Sequence, residues 1–308
     1  MNTRNMISFD WAMKRLLRQK ANFEILEGFL SELLRRKVII KHIGESEGTQ
    51  TNKDDKTNRV DILVEADDKE IVIIELQYFG KDDFFKRMLY GTSKTITDYM
   101  STGDPYSTVR KVYSINIVYF DLGTGDDYVY HGFTNFTGLH TRTELHLNEK
   151  QKKMYEKTYP GELYPEYYII KVSKFNEVAK DTLDEWIFYL KTGKIRDDFT
   201  AQGLDKAREI LAYDNLTDAE KKEHDRMIND RRDRDSEINT AFTDGETKGL
   251  IKGEAIGLEK GEAIGAKKEQ EKTAINAHKA GSSIEFISTI TGLTTEQITK
   301  ILIQNELM

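Results

Sequence analysis

The chain has 308 residues, 38% of them hydrophobic, which is enough for a sizeable core but not clearly for two domains. Its net charge of −7 counts against broad, nonspecific affinity for nucleic acid, although a local basic groove is compatible with that total. Without cysteine there is no disulfide framework or Cys-based zinc site, and without an apolar stretch of signal-peptide or membrane-span length the expectation is a soluble, cytoplasmic protein that makes no membrane contact.

Two amphipathic helices open the chain. Ser8 stands where a cap of the first belongs, before Phe9-Asp10-Trp11-Ala12-Met13-Lys14. Asn22 stands before the second, where Leu26, Phe29, Leu30, Leu33 and Leu34 recur at helical spacing. Residues 45–58 are polar and aperiodic and read as a mobile loop. Residues 59–65 and 70–77 are rich in Val and Ile and flank the turn-like Asp67-Asp68-Lys69, so they predict a hairpin. A helix is predicted from 82 or 83 to about 100. Residues 111–120 (KVYSINIVYF) are apolar on both faces, as in a central strand. Residues 128–133, 142–147 and 167–172 read as further strands, and 183–191 as a helix ended by Gly193.

From Thr217 the character changes. Thr217-x-x-Glu220 is a capping-box pattern that opens a helix with charges of alternating sign. Glycine then recurs at every fourth position, at 245, 249, 253, 257, 261 and 265. Ser282-x-x-Glu285 and Thr294-x-x-Gln297 start two short apolar helices around Gly292. The division read from these shifts is a folded domain over 1–240, a glycine-repeat helical linker or tail over 241–281, and a small two-helix element over 282–308.

The chemistry concentrates in residues 59–77, RVDILVEADDKEIVIIELQ. Asp61 and Glu75 stand inside strands that are otherwise strongly apolar, rich in Val and Ile. A carboxylate buried there is costly unless it is paired, hydrogen-bonded or metal-bound. Glu75 and Gln77 are two apart, so on a strand they share a face. If 67–69 form a three-residue loop, Ala66 faces Glu70 and Asp61 faces Glu75. Val60, Ile62 and Val64 then face Leu76, Ile74 and Val72, and Arg59 faces Gln77. A loop of two or four residues would separate the acids onto opposite faces. Carboxylates on strands about 5 Å apart repel each other, and a divalent cation relieves that repulsion. The alternative is an acid that is merely solvated, or paired with a base such as Arg59. No phosphate-binding glycine loop, serine-nucleophile elbow or zinc-like histidine spacing competes with this constellation.

In their order, FDWAMKRLL, RVDILVE, IVIIELQ, RMLYGTSK, YSTVRKVYSINIVYFDL, DEWIFYL and the glycine repeat resemble the PD-(D/E)xK nuclease superfamily, in its transposase-associated, recombination-promoting branch. The resemblance implies an α/β fold with a restriction-endonuclease-like core, a mixed sheet flanked by helices, followed here by an extended helical tail. It also implies an endonuclease that hydrolyses DNA phosphodiesters with Mg²⁺, or with Mn²⁺ as a substitute. Asp61 and Glu75 match its metal-binding catalytic acids. Gln77 matches the position that is Lys in the wider superfamily. A Gln can orient water but is neutral and no useful base, so activation of water would fall to the metal.

Asp10 matches an acid on the first helix that supplies a further metal ligand. It reads equally as an acid favoured by the helix N-terminus. Arg87, Tyr90 and Lys94 follow one another at i, i+3 and i+7. They are either contacts to DNA phosphates or a solvated face beside an apolar Met88-Leu89-Ile96 side. The competing reading of the whole is a catalytically inactive nuclease fold that serves as a DNA- or protein-binding module, which Gln77 and the net acidity favour. A third is a restriction-like or defence nuclease with a triggering partner. The glycine stripe lets two helices approach closely, which suggests a homodimer; the alternative is a flexible, helix-prone linker. The two terminal helices are either a DNA contact or a packing element.

Overall fold

A computed structural model describes residues 3–15, 19–44, 61–66, 69–80 and 82–308. The loop expected at 45–58 lies outside the described residues, as do Arg59, Val60, Asp67 and Asp68 and the pairings expected of them. The chain divides into two compact units, Met1–His224 and Asp225–Met308.

In the first unit, strand β1 (Thr3–Asn5) precedes helices α1 (Phe9–Arg15) and α2 (Phe23–Leu34). Strands β2 (Ile40–Gly44), β3 (Ile62–Ala66) and β4 (Ile71–Gln77) follow, then α3 (Phe84–Asp98) and β5 (Val112–Val118). Next come β6 (Val129–Gly132), α4 (Glu149–Tyr155), β7 (Glu166–Lys171), α5 (Thr182–Thr192), β8 (Lys194–Arg196) and α6 (Leu204–Ile210). The main sheet has the order β2-β3-β4-β5-β7-β6, and β1 pairs with β8 separately. β2, β3 and β4 run antiparallel, β4, β5 and β7 parallel, and β6 antiparallel to β7. This is the expected mixed sheet with flanking helices.

The hairpin takes the three-residue register. Ile62 pairs with Ile74, Leu63 with Ile73, Val64 with Val72 and Glu65 with Ile71. Ala66 N–H donates to Glu70 O at 3.0 Å and Lys69 N–H to Ala66 O at 3.1 Å, with Lys69 in the left-handed region at φ 63°. Period two then places Leu63 and Glu65 on one face with Ile71, Ile73 and Glu75. Helix α3 covers that face. Ile71, Ile73 and Val112 pack with Leu63, Ile96 and Tyr99, while Phe84 and Met88 pack with Val118, Tyr167 and Ile169. Every residue of β5 is buried, as expected of a central strand.

Three sequence expectations change. Residues 142–147 form no strand, only an isolated bridge between Thr137 and Glu144. Their side chains are exposed as far as His146, so there is no apolar face to hold a pairing. Strands β1, β2 and β8 were not anticipated: at three to five residues they are too short to show a period. Leu89, placed on the apolar side of α3, is 58% exposed.

The rings of Phe9, Phe29, Trp186 and Tyr189 join α1, α2 and α5, with centroids 5.7 Å apart for Phe9–Phe29 and for Phe29–Trp186. Trp186 Nε1 donates to Gln202 O at 3.2 Å, which draws that backbone onto α2. Gly28 makes the approach: a Cβ there would lie 2.1 Å from Gln202 O and 2.7 Å from Gly203 Cα. Gly28→Ala should therefore destabilise by the upper end of the roughly 1–3 kcal/mol typical of overpacking, despite the better helix propensity of Ala. A lowered urea midpoint is the expected readout; an unchanged or raised one would mean that the close approach is dispensable.

Helix α7 (Asp218–Lys279) opens as its sequence pattern predicts, with Glu220 N–H donating to Thr217 Oγ1 at 3.3 Å and Thr217 N–H to Glu220 Oε2 at 2.9 Å. It continues helical through all six periodic glycines. In the second unit, α8 (Ile284–Thr291) and α9 (Thr295–Gln304) pack Ile287, Ile298 and Leu302 on Ala274 of α7. The cap of α8 is Ser283 rather than Ser282, since Phe286 N–H donates to Ser283 Oγ at 3.3 Å. Among the described residues no helix is long and apolar enough to cross a membrane.

Candidate active site

Glu75 lies near the end of β4, on the face beneath α3, and is only 5% exposed. Asp61 occupies the bend just before β3. The hairpin register, continued by one residue, sets it across from Glu75. Its Oδ2 accepts the N–H of Leu76 at 2.6 Å, so the carboxylate reaches across to β4 beside Glu75. Burial pushes the Glu75 carboxyl up to about 7; the Arg87 guanidinium opposes this and the Asp61 charge adds to it. Asp61, Glu75 and Arg87 thus form one electrostatic group.

The contact between Arg87 and Glu75 is loose. Nε lies 3.8 Å from Glu75 Oε2, too far for a hydrogen bond. Oε2 is buried and has no hydrogen-bond partner among the described residues. A buried carboxylate oxygen without a donor, next to a second carboxylate, is the kind of oxygen set that a hard divalent cation takes. The residues present therefore fit the metal implied by the resemblance.

The other candidates are placed less tightly. Gln77 is half-buried and, two residues beyond Glu75, lies on the same face. On α3, Arg87 turns towards the acids, Tyr90 is 43% exposed, and Lys94 is half-buried with its Nζ 2.9 Å from Asp98 Oδ1. Asp10 is buried in the first turn of α1. Among the described residues no group of three or more His, Cys, Asp or Glu side chains converges as a metal centre, so Asp10 is not gathered with Asp61 and Glu75.

One residue at the site was not anticipated. Asn116 pairs with Glu75 in the parallel β4–β5 register and so lies beside it on the same face. The signal was present in VYSINIV, where Ser114 and Asn116 are two polar residues at alternate positions of an otherwise apolar strand.

A model of the family described as PD-(D/E)XK nuclease family transposase matches residues 7–241 of the chain. No curated protein and no solved structure matches it.

Proposed function

Because the chain belongs to the PD-(D/E)XK nuclease family of transposases, we propose that it is a divalent-metal-dependent DNA endonuclease, cytoplasmic, acting in recombination or in the movement of a mobile element. The observation that carries this is the buried Glu75 Oε2, which among the described residues accepts no hydrogen bond and meets Arg87 only at 3.8 Å, next to the Asp61 carboxylate. A fold kept only for binding has no use for a buried Glu75 at that cost beside a second acid.

Asp61 and Glu75 would hold Mg²⁺, or Mn²⁺ in its place. The ion supplies Lewis acidity towards water and towards a phosphoryl oxygen. Gln77 orients the attacking water through its amide. Arg87 brings positive charge to the place where negative charge builds on the phosphate, a task that a neutral Gln77 cannot take. Tyr90 and Lys94, further along α3, meet the DNA backbone. Asp10 is left an outer place, through water. We read 1–240 as the nuclease domain, 241–281 as its tail and 282–308 as an accessory element. The second reading, a non-catalytic DNA- or protein-binding module, is favoured by Gln77.

The test is nicking of supercoiled plasmid by the full chain. Conversion to open circles is expected with Mg²⁺ or Mn²⁺ and none with EDTA. Equal nicking in EDTA would sink the metal-dependent reading, and none under any condition would favour the binding module.

A further inference from the structure

Asn116 is 1% exposed, and its amide is held from one side. Nδ2 donates to Ser114 O at 3.1 Å, to Ser114 Oγ at 3.0 Å and towards Tyr168 O at 3.4 Å. Two of these acceptors are carbonyl oxygens, so exchanging amide N and O would set oxygen against oxygen; the orientation is determined by its partners. Tyr168 lies on β7 and Glu75 on β4, on opposite sides of β5. With Nδ2 drawn to the β7 side, Oδ1 is left towards β4. That Oδ1 is buried and has no hydrogen-bond partner among the described residues. Glu75 Oε2, its neighbour in register, is in the same state.

Arg87 reaches only Glu75 Oε2, and only at 3.8 Å, so among the described residues two adjacent buried acceptors are left without a hydrogen-bond donor, which is costly in a folded protein unless something positive serves both. Glu75 and Asn116 are neighbours in register on one face of β4 and β5, and the Asp61 carboxylate reaches β4 beside Glu75 through its hydrogen bond from Leu76 N–H. We infer that Asn116 is a third oxygen ligand of the divalent cation, its Oδ1 joining the Asp61 and Glu75 carboxylates, with Ser114 as the residue that positions it. This rests on the reading that the two acids hold a cation. It supplies a direct oxygen where Asp10, which is not gathered with the pair, does not. An uncharged carbonyl-type oxygen beside two carboxylates suits a hard ion and adds no further negative charge to the buried site.

The test is direct binding of Mn²⁺ to the full chain, with free Mn²⁺ followed by electron paramagnetic resonance and each variant checked by thermal melting. Wild type should bind Mn²⁺ and Glu75→Ala should not. Asn116→Ala should weaken binding roughly tenfold or more, and Ser114→Ala by a smaller factor, because it removes one of the anchors of Nδ2. If Glu75→Ala abolishes binding while Asn116→Ala binds as wild type does, the Asn116 assignment fails and the cation reading stands. If wild type binds no Mn²⁺, both fail. Should Asn116→Ala not fold, Ser114→Ala decides: unchanged Mn²⁺ affinity in that variant overturns the proposal.

Discussion

Asp61→Ala and Glu75→Ala should each remove metal-dependent cleavage of DNA while leaving a folded protein. Lewis-acid stabilisation by a bound metal is worth several kcal/mol in the transition state, and each ~1.4 kcal/mol is a tenfold rate. Loss of a ligand should therefore cost roughly a hundredfold or more in the initial rate of nicking at saturating Mg²⁺. Gln77→Ala should cost less, because a neutral amide that orients water is partly replaced by solvent. Gln77→Lys should be tolerated or stimulating, since it restores the charge found there in the wider superfamily. Arg87 sets the limit on that gain, because it already brings a cation to the acids. Unchanged nicking by both acid variants, in preparations free of contaminating nuclease, would end the assignment of these residues as catalytic.

Glu75→Gln should make the metal-free protein more stable than wild type at and above neutral pH. The Glu75 carboxyl rises from 4.5 to about 7 on folding, chiefly through burial. Its folded state holds the proton more tightly than the unfolded chain does. The associated stability is therefore complete below pH 4.5 and is lost as pH rises through about 7. The whole interval is worth about 3 kcal/mol. Gln cannot ionise and keeps its amide at all these pH values. In urea titrations with EDTA, the stability difference between Glu75→Gln and wild type should grow in favour of Gln from pH 5 to about 8. Saturating Mg²⁺ or Mn²⁺ should narrow the gap, because the ion neutralises the carboxylate that Gln lacks. Parallel curves at every pH would mean that Glu75 is not held in a charge-averse position. The comparison between the two proteins cancels the carboxylates whose values are lowered, among them Glu65 beside Arg110 and Glu166 beside Lys111 and His131.

Much of the hairpin that carries the acids is encoded by near neighbours. The three-residue turn fixes the register of β3 on β4, and continued by one residue that register brings Asp61 across from Glu75, whereas β4 itself, apolar and buried on both faces, would tolerate a slip by its Val and Ile. Glycine determines where α5 and α8 stop, at Gly193 and Gly292, each with positive φ, and the threonine boxes determine where α7 and α9 begin. These signals act over a few residues, so the sequence alone determines them. What only the tertiary structure decided depends on partners far along the chain. Asn116 sits beside Glu75 because a crossover through α3 brings β5 parallel to β4, and nothing in VYSINIV says which strand will lie alongside. Whether Arg87 turns inwards, whether Tyr90 stays in solvent, and whether β2 finds β3 at the sheet edge were decided by burial against those distant neighbours. Gly28 shows the same physics at its sharpest. Its local effect is to weaken a helix, and only the backbone of Gln202 and Gly203 lying against it explains why no larger residue fits there.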